Sequence, residues 1–148
     1  MHLASYIARQ FDAGRKTVGA AELAEAQGLA LDYTQQVLHR LRDGGVLSSV
    51  RGPNGGYCLS RKAQEISLLD ILLASEGESF EVMCETRPLS EHRCAPEVHC
   101  GIRHVWYGLR EHVNEYLRGY SLADLAKEVS SEESLVKINS KPSRASAA

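Results

Sequence analysis

The feature that most constrains this chain is the order helix, helix, strand, turn, strand between residues 19 and 61. Ala20 to Gln27 is rich in alanine, glutamate and leucine, which are strong helix formers. Gly28 can end that helix, because glycine takes a left-handed cap at little cost. A second helix is expected from Tyr33 to Asp43, with Asp32 as its cap. Val37, Leu38 and Leu41 mark its inner face, leaving Tyr33, Gln35, Gln36, His39 and Arg40 on or near the outer one. Gly44-Gly45 stops it. Val46 to Val50 has the apolar and β-branched content of a strand, and Tyr57 to Arg61 alternates as its return. Between them, Arg51-Gly52-Pro53-Asn54-Gly55-Gly56 is dense in turn residues. Asn54-Gly55 is a strong hairpin signal, because both turn positions call for positive φ. Two helices and a hairpin in this order describe a winged helix-turn-helix, mainly α with a small β wing.

That architecture has a known use: the second helix enters a DNA major groove by its N-terminal end. Glutamine can pair with adenine through two hydrogen bonds, and arginine with guanine or phosphate. Arg51, at the base of the wing, suits a minor groove or the backbone. Up to Gly44 the segment reads more readily as an ordinary helical hairpin with a polar face. The following hairpin moves the balance toward DNA. A phosphate-cradling glycine loop fits poorly, since no helix opening on Lys-Ser/Thr follows these glycines. The charge agrees: residues 1–62 carry a balance of +3 and residues 63–131 one of −6, within a net −2.

Other helices flank this unit. Leu3, Tyr6, Ile7 and Phe11 give residues 1–13 a helical period ended by Gly14, and Arg15 to Val18 is a connector or short strand. Ser67 with Asp70 three residues on forms an acidic variant of the capping box, opening a helix that Gly77 ends. It is expected to pack back on the winged-helix core. Ile102 to Gly119 is the longest helical stretch, striped by Ile102, Val105, Trp106, Leu109, Val113, Tyr116 and Leu117. So wide a stripe exceeds what a small domain needs internally, and predicts packing on the same helix of a second chain, a homodimer. Packing within the chain is the alternative. Ser121 caps a short helix, Leu122 to Val129. The expected organisation is a DNA-binding domain over 1–79, a cysteine-bearing loop over 80–101, dimerisation elements over 102–130 and a disordered tail over 131–148.

Three of the four cysteines lie between the two halves. Nine residues separate Cys84 from Cys94 and five separate Cys94 from Cys100, with His92, His99 and His104 among or just after them. The stretch holds Pro88 and Pro96 without an apolar period, and so reads as a long loop. A bound group would order it, because thiolates hold iron–sulfur clusters and zinc tightly. Zinc sites usually pair ligands two to four residues apart, and this spacing lacks such pairs. A bare thiol switch between Cys94 and Cys100 is a third reading. The order of preference is cluster, thiol switch, zinc. Cys58 stands apart in the return strand and reads as a small buried apolar residue. No secretory signal opens the chain and no run can cross a membrane, so a cytoplasmic protein with reduced thiols is expected.

Two stretches carry a family resemblance. LRDGGVLSSVRGPNGGYCLSR followed by ISLLDILLASEG resembles the wing and next helix of the IscR/NsrR-type regulators. The cysteine triplet, the long tryptophan-containing helix and YSLADLA also resemble them, over about residues 1–130. These are bacterial winged-helix transcriptional regulators, many of which bind an iron–sulfur cluster. The resemblance implies a homodimer on a double-stranded operator of two related half-sites. It places Tyr33, Thr34, Gln35 and Gln36 at the groove-facing start of the recognition helix, with Arg51, Asn54, Gly55, Gly56 and Tyr57 in the wing. It matches Cys84, Cys94 and Cys100 to the cluster ligands, a two-iron two-sulfur cluster being favoured over a four-iron four-sulfur one, and Ile102 to Leu117 to the dimerisation helix.

Three departures accompany the resemblance. The chain starts inside the first helix, where family members have an earlier polar leader. The gap between the first two cysteines is longer than in the best-known iron–sulfur member. Arg103 occupies the position of that member's histidine ligand, and His104 follows it, a rotation of roughly 100° along a helix. His104 is the expected fourth ligand if the helix starts late or the loop adjusts, and His92, His99 or a carboxylate from the partner chain are alternatives. A Cys100–His104 nucleophile pair is the enzyme reading, but no pocket-forming architecture accompanies it. A DNA-independent cluster carrier would have no use for the wing. The expectation is therefore a DNA-binding repressor sensing redox state, nitric oxide or iron–sulfur supply, and not an enzyme.

Overall fold

The computed structural model describes residues 1–53, 55–80, 82, 90, 98 and 100–128. In chain order it comprises α1 (His2–Asp12), α2 (Ala20–Gln27), α3 (Leu31–Asp43), β1 (Leu47–Val50), β2 (Gly56–Leu59) and a 3-10 turn (Ala63–Glu65). Then follow α4 (Leu68–Glu76), α5 (Gly101–Arg118) and α6 (Leu122–Glu128). The winged helix-turn-helix is present as expected. Cys84, Cys94, His92, His99, Asn54 and the tail from residue 129 lie outside the described residues.

The helix-turn-helix forms as its residues dictate. Gly28 takes the left-handed conformation, φ 63° and ψ 33°, and closes α2. α3 starts earlier than expected, at Leu31, with Ala30 as an extended N-cap that makes no side-chain hydrogen bond. Asp32 is therefore a first-turn residue and not the cap. Its carboxylate still sits at the positive end of the helix dipole. Leu38 and Leu41 are fully buried, and Val37 is half-buried at the edge.

The wing pairs β1 with β2 antiparallel, Val50 opposite Gly56 and Leu47 opposite Leu59. Five residues, 51 to 55, therefore join the strands, so the expected hairpin forms with its connection in the turn-rich stretch. The positive φ of the loop falls at Gly52, 126°, and not at Gly55. Gly55 is needed for room instead: a Cβ there would collide with the Val50 carbonyl oxygen. Val18 adds a third edge, donating to the Tyr57 carbonyl at 3.0 Å and accepting from the Tyr57 amide at 2.9 Å. The connector before α2 is thus anchored to the sheet. The Arg15 guanidinium pairs with Glu22 at its far end and holds that carboxyl below its ordinary range.

One core serves all of this. Leu3 and Ile7 of α1, Leu23 of α2, Leu38 and Leu41 of α3, Val46 and Leu47 at the start of the wing, and Ile66 and Ile71 around α4 form a single cluster. Leu122 and Ala126 of α6 belong to it too, since α6 lies along α1. Burying some ten large aliphatic side chains at about 25 cal/mol per Å² is the dominant stabilising contribution. Cys58, opposite Ser48, is half-buried at the sheet surface rather than enclosed in this core.

Candidate nucleic-acid interface and cysteine loop

The outer face of α3 is polar and open. Tyr33 is 56% exposed, and Gln35, Gln36, His39 and Arg40 are exposed along the same helix. Thr34 departs from the expected groove-facing set. It is fully buried, and its hydroxyl donates to the Ala30 carbonyl at 3.0 Å. Its side chain therefore faces the core, as the sequence spacing with Leu38 and Leu41 allows. Arg40 has a second commitment: its Nη1 group donates to the Ser75 carbonyl of α4 at 3.1 Å. Arg42 bonds to the carboxylate of its neighbour Asp43 at 2.8 Å.

In the wing, Arg51 is exposed, while Gly55, Gly56 and Tyr57 are half-buried. The backbone of Tyr57 is taken up by Val18, and a Cβ on Gly56 would lie 2.5 Å from the Val18 carbonyl oxygen. These three hold the wing in place, and Arg51 is its outward cation.

Cys100 occupies the N-cap position of α5, extended at φ −130° and ψ 112°, half-buried and carrying a free thiol. Its carbonyl accepts from the Arg103 amide at 3.1 Å. His104 is exposed in the first turn of the same helix. The helix thus begins directly after Cys100, so Cys100 and His104 are one turn apart. Among the described residues, no three histidine, cysteine or acidic side chains converge on one point. Cys84 and Cys94 fall outside them. As a donor set, three thiols and an imidazole suit an iron–sulfur cluster or zinc. The positive end of α5 beside Cys100 also suits an anionic, thiolate-bound group.

α5 is 18 residues long and contains no buried residue. Its apolar stripe is divided into two rows roughly 70° apart around the helix, at about 100° per residue. Trp106, Val113 and Leu117 form the half-buried row, with Trp106 stacked on Phe80 at 6.0 Å between ring centroids. Ile102, Val105, Leu109 and Tyr116 form the outer row and are 52%, 61%, 42% and 55% exposed. Ser79 donates to the Asn114 side chain beside the stack. Ser79 and Phe80 belong to no periodic segment, so spacing alone does not mark them as anchors. No described helix is long and apolar enough to cross a membrane.

Residues 1–128 match the Rrf2 family, described as an iron-dependent transcriptional regulator. The chain belongs to the Rrf2 family. Among curated Rrf2-like relatives, the HTH-type transcriptional regulator IscR of Xenorhabdus nematophila is 36% identical over 110 residues, 74% of this chain and 65% of that protein. The chain thus spans somewhat less than two-thirds of that relative's length. Among solved structures, IscR of T. potens superposes with a TM-score of 0.65 at 29% identity, covering 86% of this chain and 80% of that one. CymR, the global cysteine regulator of B. subtilis, gives a TM-score of 0.65 at 26% identity, covering 86% and 89%. These Rrf2 relatives are transcriptional regulators and not enzymes, so the Cys100–His104 nucleophile reading is set aside.

Proposed function

We propose that this Rrf2 protein is a cytoplasmic, homodimeric, DNA-binding transcriptional regulator, acting as a repressor. The observation that carries the reading is the division of α3. Leu38, Leu41 and Thr34 are sealed in the core, which presents Tyr33, Gln35, Gln36 and His39 outward on a rigid helix. Side chains held this way can read base edges, and the exposed Arg51 of the wing can meet phosphates or the minor groove. The exposed outer row of α5 supports the dimer: apolar residues in one line on a helix are the usual material of a helix pair. Two recognition helices related by such a pair would address two half-sites of an operator. The regulatory activity of the named relatives, and the iron dependence in the family's description, support the same reading.

In this reading Cys84, Cys94 and Cys100 hold an iron–sulfur cluster, two-iron two-sulfur in preference to four-iron four-sulfur, with His104 as the fourth ligand. Bound there, the cluster would supply a centre sensitive to oxidants, nitric oxide and cluster availability. Cys100 at the start of α5 ties that loop to the dimer helix, so ligand loss at Cys100 would free the helix end. The second reading keeps the DNA-binding dimer and gives the cysteines a thiol switch or structural zinc.

The deciding experiment is the visible spectrum of anaerobically purified protein, with iron, sulfide and zinc assayed on the same sample. Operator affinity is then compared before and after chelation at matched salt. Iron with sulfide and a change in affinity is the expected result. Stoichiometric zinc without iron, or equal affinity in both forms, would overturn the cluster-sensor reading and leave the DNA-binding dimer.

A further inference from the structure

The recognition helix is joined twice to the last turn of α4. Arg40 donates to the Ser75 carbonyl at 3.1 Å. Ser75 is the penultimate residue of α4, where carbonyls find no amide in their own helix. A guanidinium there satisfies an orphan acceptor and meets the negative end of the dipole. One turn further along α3, Gly44 sits so close to Ala74 that a Cβ would collide with its side chain and lie 2.9 Å from its Cα. Two tight contacts, one polar and one steric, therefore lock the end of α4 to the end of α3.

The other side of the same short segment is held by α5. Gly77, at φ 86°, turns the chain out of α4. Ser79 then bonds to Asn114, and Phe80 stacks on Trp106 with an interplanar angle of 27°. Residues 75–80 thus grip the recognition helix at one end and α5 at the other. The cysteine-bearing stretch begins directly beyond them.

We infer that Arg40 is a positioning residue, whose bond to the Ser75 carbonyl makes the orientation of the recognition helix follow that of α5 through residues 75–80. A displacement of α5, or of the chain leaving Phe80, then reaches the outer face of α3 without crossing the hydrophobic core. The inference deepens the DNA-binding reading and rests on it for its consequence, but the contact itself is internal to the protein. The competing role for Arg40 is a phosphate contact that uses Ser75 only incidentally.

Hydrogen exchange on the full chain without DNA separates these. Trp106→Ala is expected to speed amide exchange in residues 31–43 by roughly fivefold through local loosening of α3. Arg40→Ala is expected to do the same, and the double variant to be no faster than either single one, because both break one path. Arg40→Lys, which keeps a donor and a charge, restores most of the protection. Should an alanine variant fail to fold, Arg40→Gln and Phe80→Leu give the same cycle. Exchange rates in α3 that multiply in the double variant, or that ignore Trp106→Ala, would overturn the inference. A second measurement uses duplexes selected by the wild-type protein from a random library. A positioning residue leaves the salt slope of binding unchanged, whereas a fall of about one on Arg40→Ala marks a phosphate contact and overturns the proposal. If the wild type selects no duplex, the DNA-binding reading fails, while the exchange cycle still decides the coupling.

Discussion

Ser67 and Ser121 face each other across an antiparallel bridge, and each caps the helix that follows it. Ser67 accepts from the Asp70 amide at 3.1 Å while Asp70 accepts from the Ser67 amide at 3.0 Å. Ser121 and Asp124 repeat the arrangement. Ser67→Ala is expected to lower stability by about 1 kcal/mol, read by urea denaturation. Hydrogen bonds from the Ser121 hydroxyl and amide hold the Asp124 carboxyl below the ordinary carboxylate range. A group with a depressed folded pKa stabilises the fold above its unfolded value, near 3.9, and that contribution fades as pH falls through the folded value. Stability measured against pH should therefore drop less steeply below about pH 4 in Asp124→Asn than in the native protein.

Gly56 is irreplaceable for a reason of space. With the Val18 carbonyl oxygen 2.5 Å from where a Cβ would stand, Gly56→Ala must push the connector off the sheet. A loss of about 1–3 kcal/mol is expected, in the range of other overpacking changes. Thermal denaturation measures it, and an unchanged Tm would show that the Val18 bridge is dispensable.

Gln35→Ala tests base reading. The side chain is exposed and bonds to nothing that would hold α3 together, so folding should be unaffected. Affinity for a selected operator should fall by about 1–3 kcal/mol while binding to unrelated DNA is unchanged. A uniform loss on both DNAs would point to backbone contact instead.

Val105 and Leu109 test the dimer. At 61% and 42% exposure they contribute little to the protomer's own core. Val105→Asp with Leu109→Asp should leave circular dichroism unchanged and yield a monomer by sedimentation. Affinity for an operator with two half-sites should fall by about a hundredfold or more, as the linked second contact is lost. A dimer that survives both charges would place the interface elsewhere.

Much of the fold was legible because its signals are local. Gly28, the Ser67–Asp70 box and the inner spacing of α3 each act within four residues, and each does what its chemistry predicts. The start of α3, capped at Ala30 and not at Asp32, is a local miss; the others involve partners distant in sequence. Asn54-Gly55 signalled the hairpin that forms, but the positive φ falls at Gly52, and Gly55 is required by its close approach to the Val50 carbonyl. Thr34 looked available from its place at the helix start, but the burial of that face decides otherwise. The Arg40–Ser75 bond spans 35 residues and has no sequence signature. For the cysteine site, residue types and spacing suggested the chemistry, and of its proposed ligands the structure describes Cys100 and His104.

α6 lies along α1, so the first and last described helices close one core. During synthesis, α1 can meet α2 and β2 early, but the side of the core that α6 closes stays open until Leu122 and Ala126 have left the ribosome. The domain that would touch DNA cannot finish folding before the cysteines and α5 have been made. Such long-range closure slows folding. It also means that a chain cut short within α5 would leave one side of α1 uncovered, making truncated products substrates for proteolysis rather than regulators that bind DNA without a sensor.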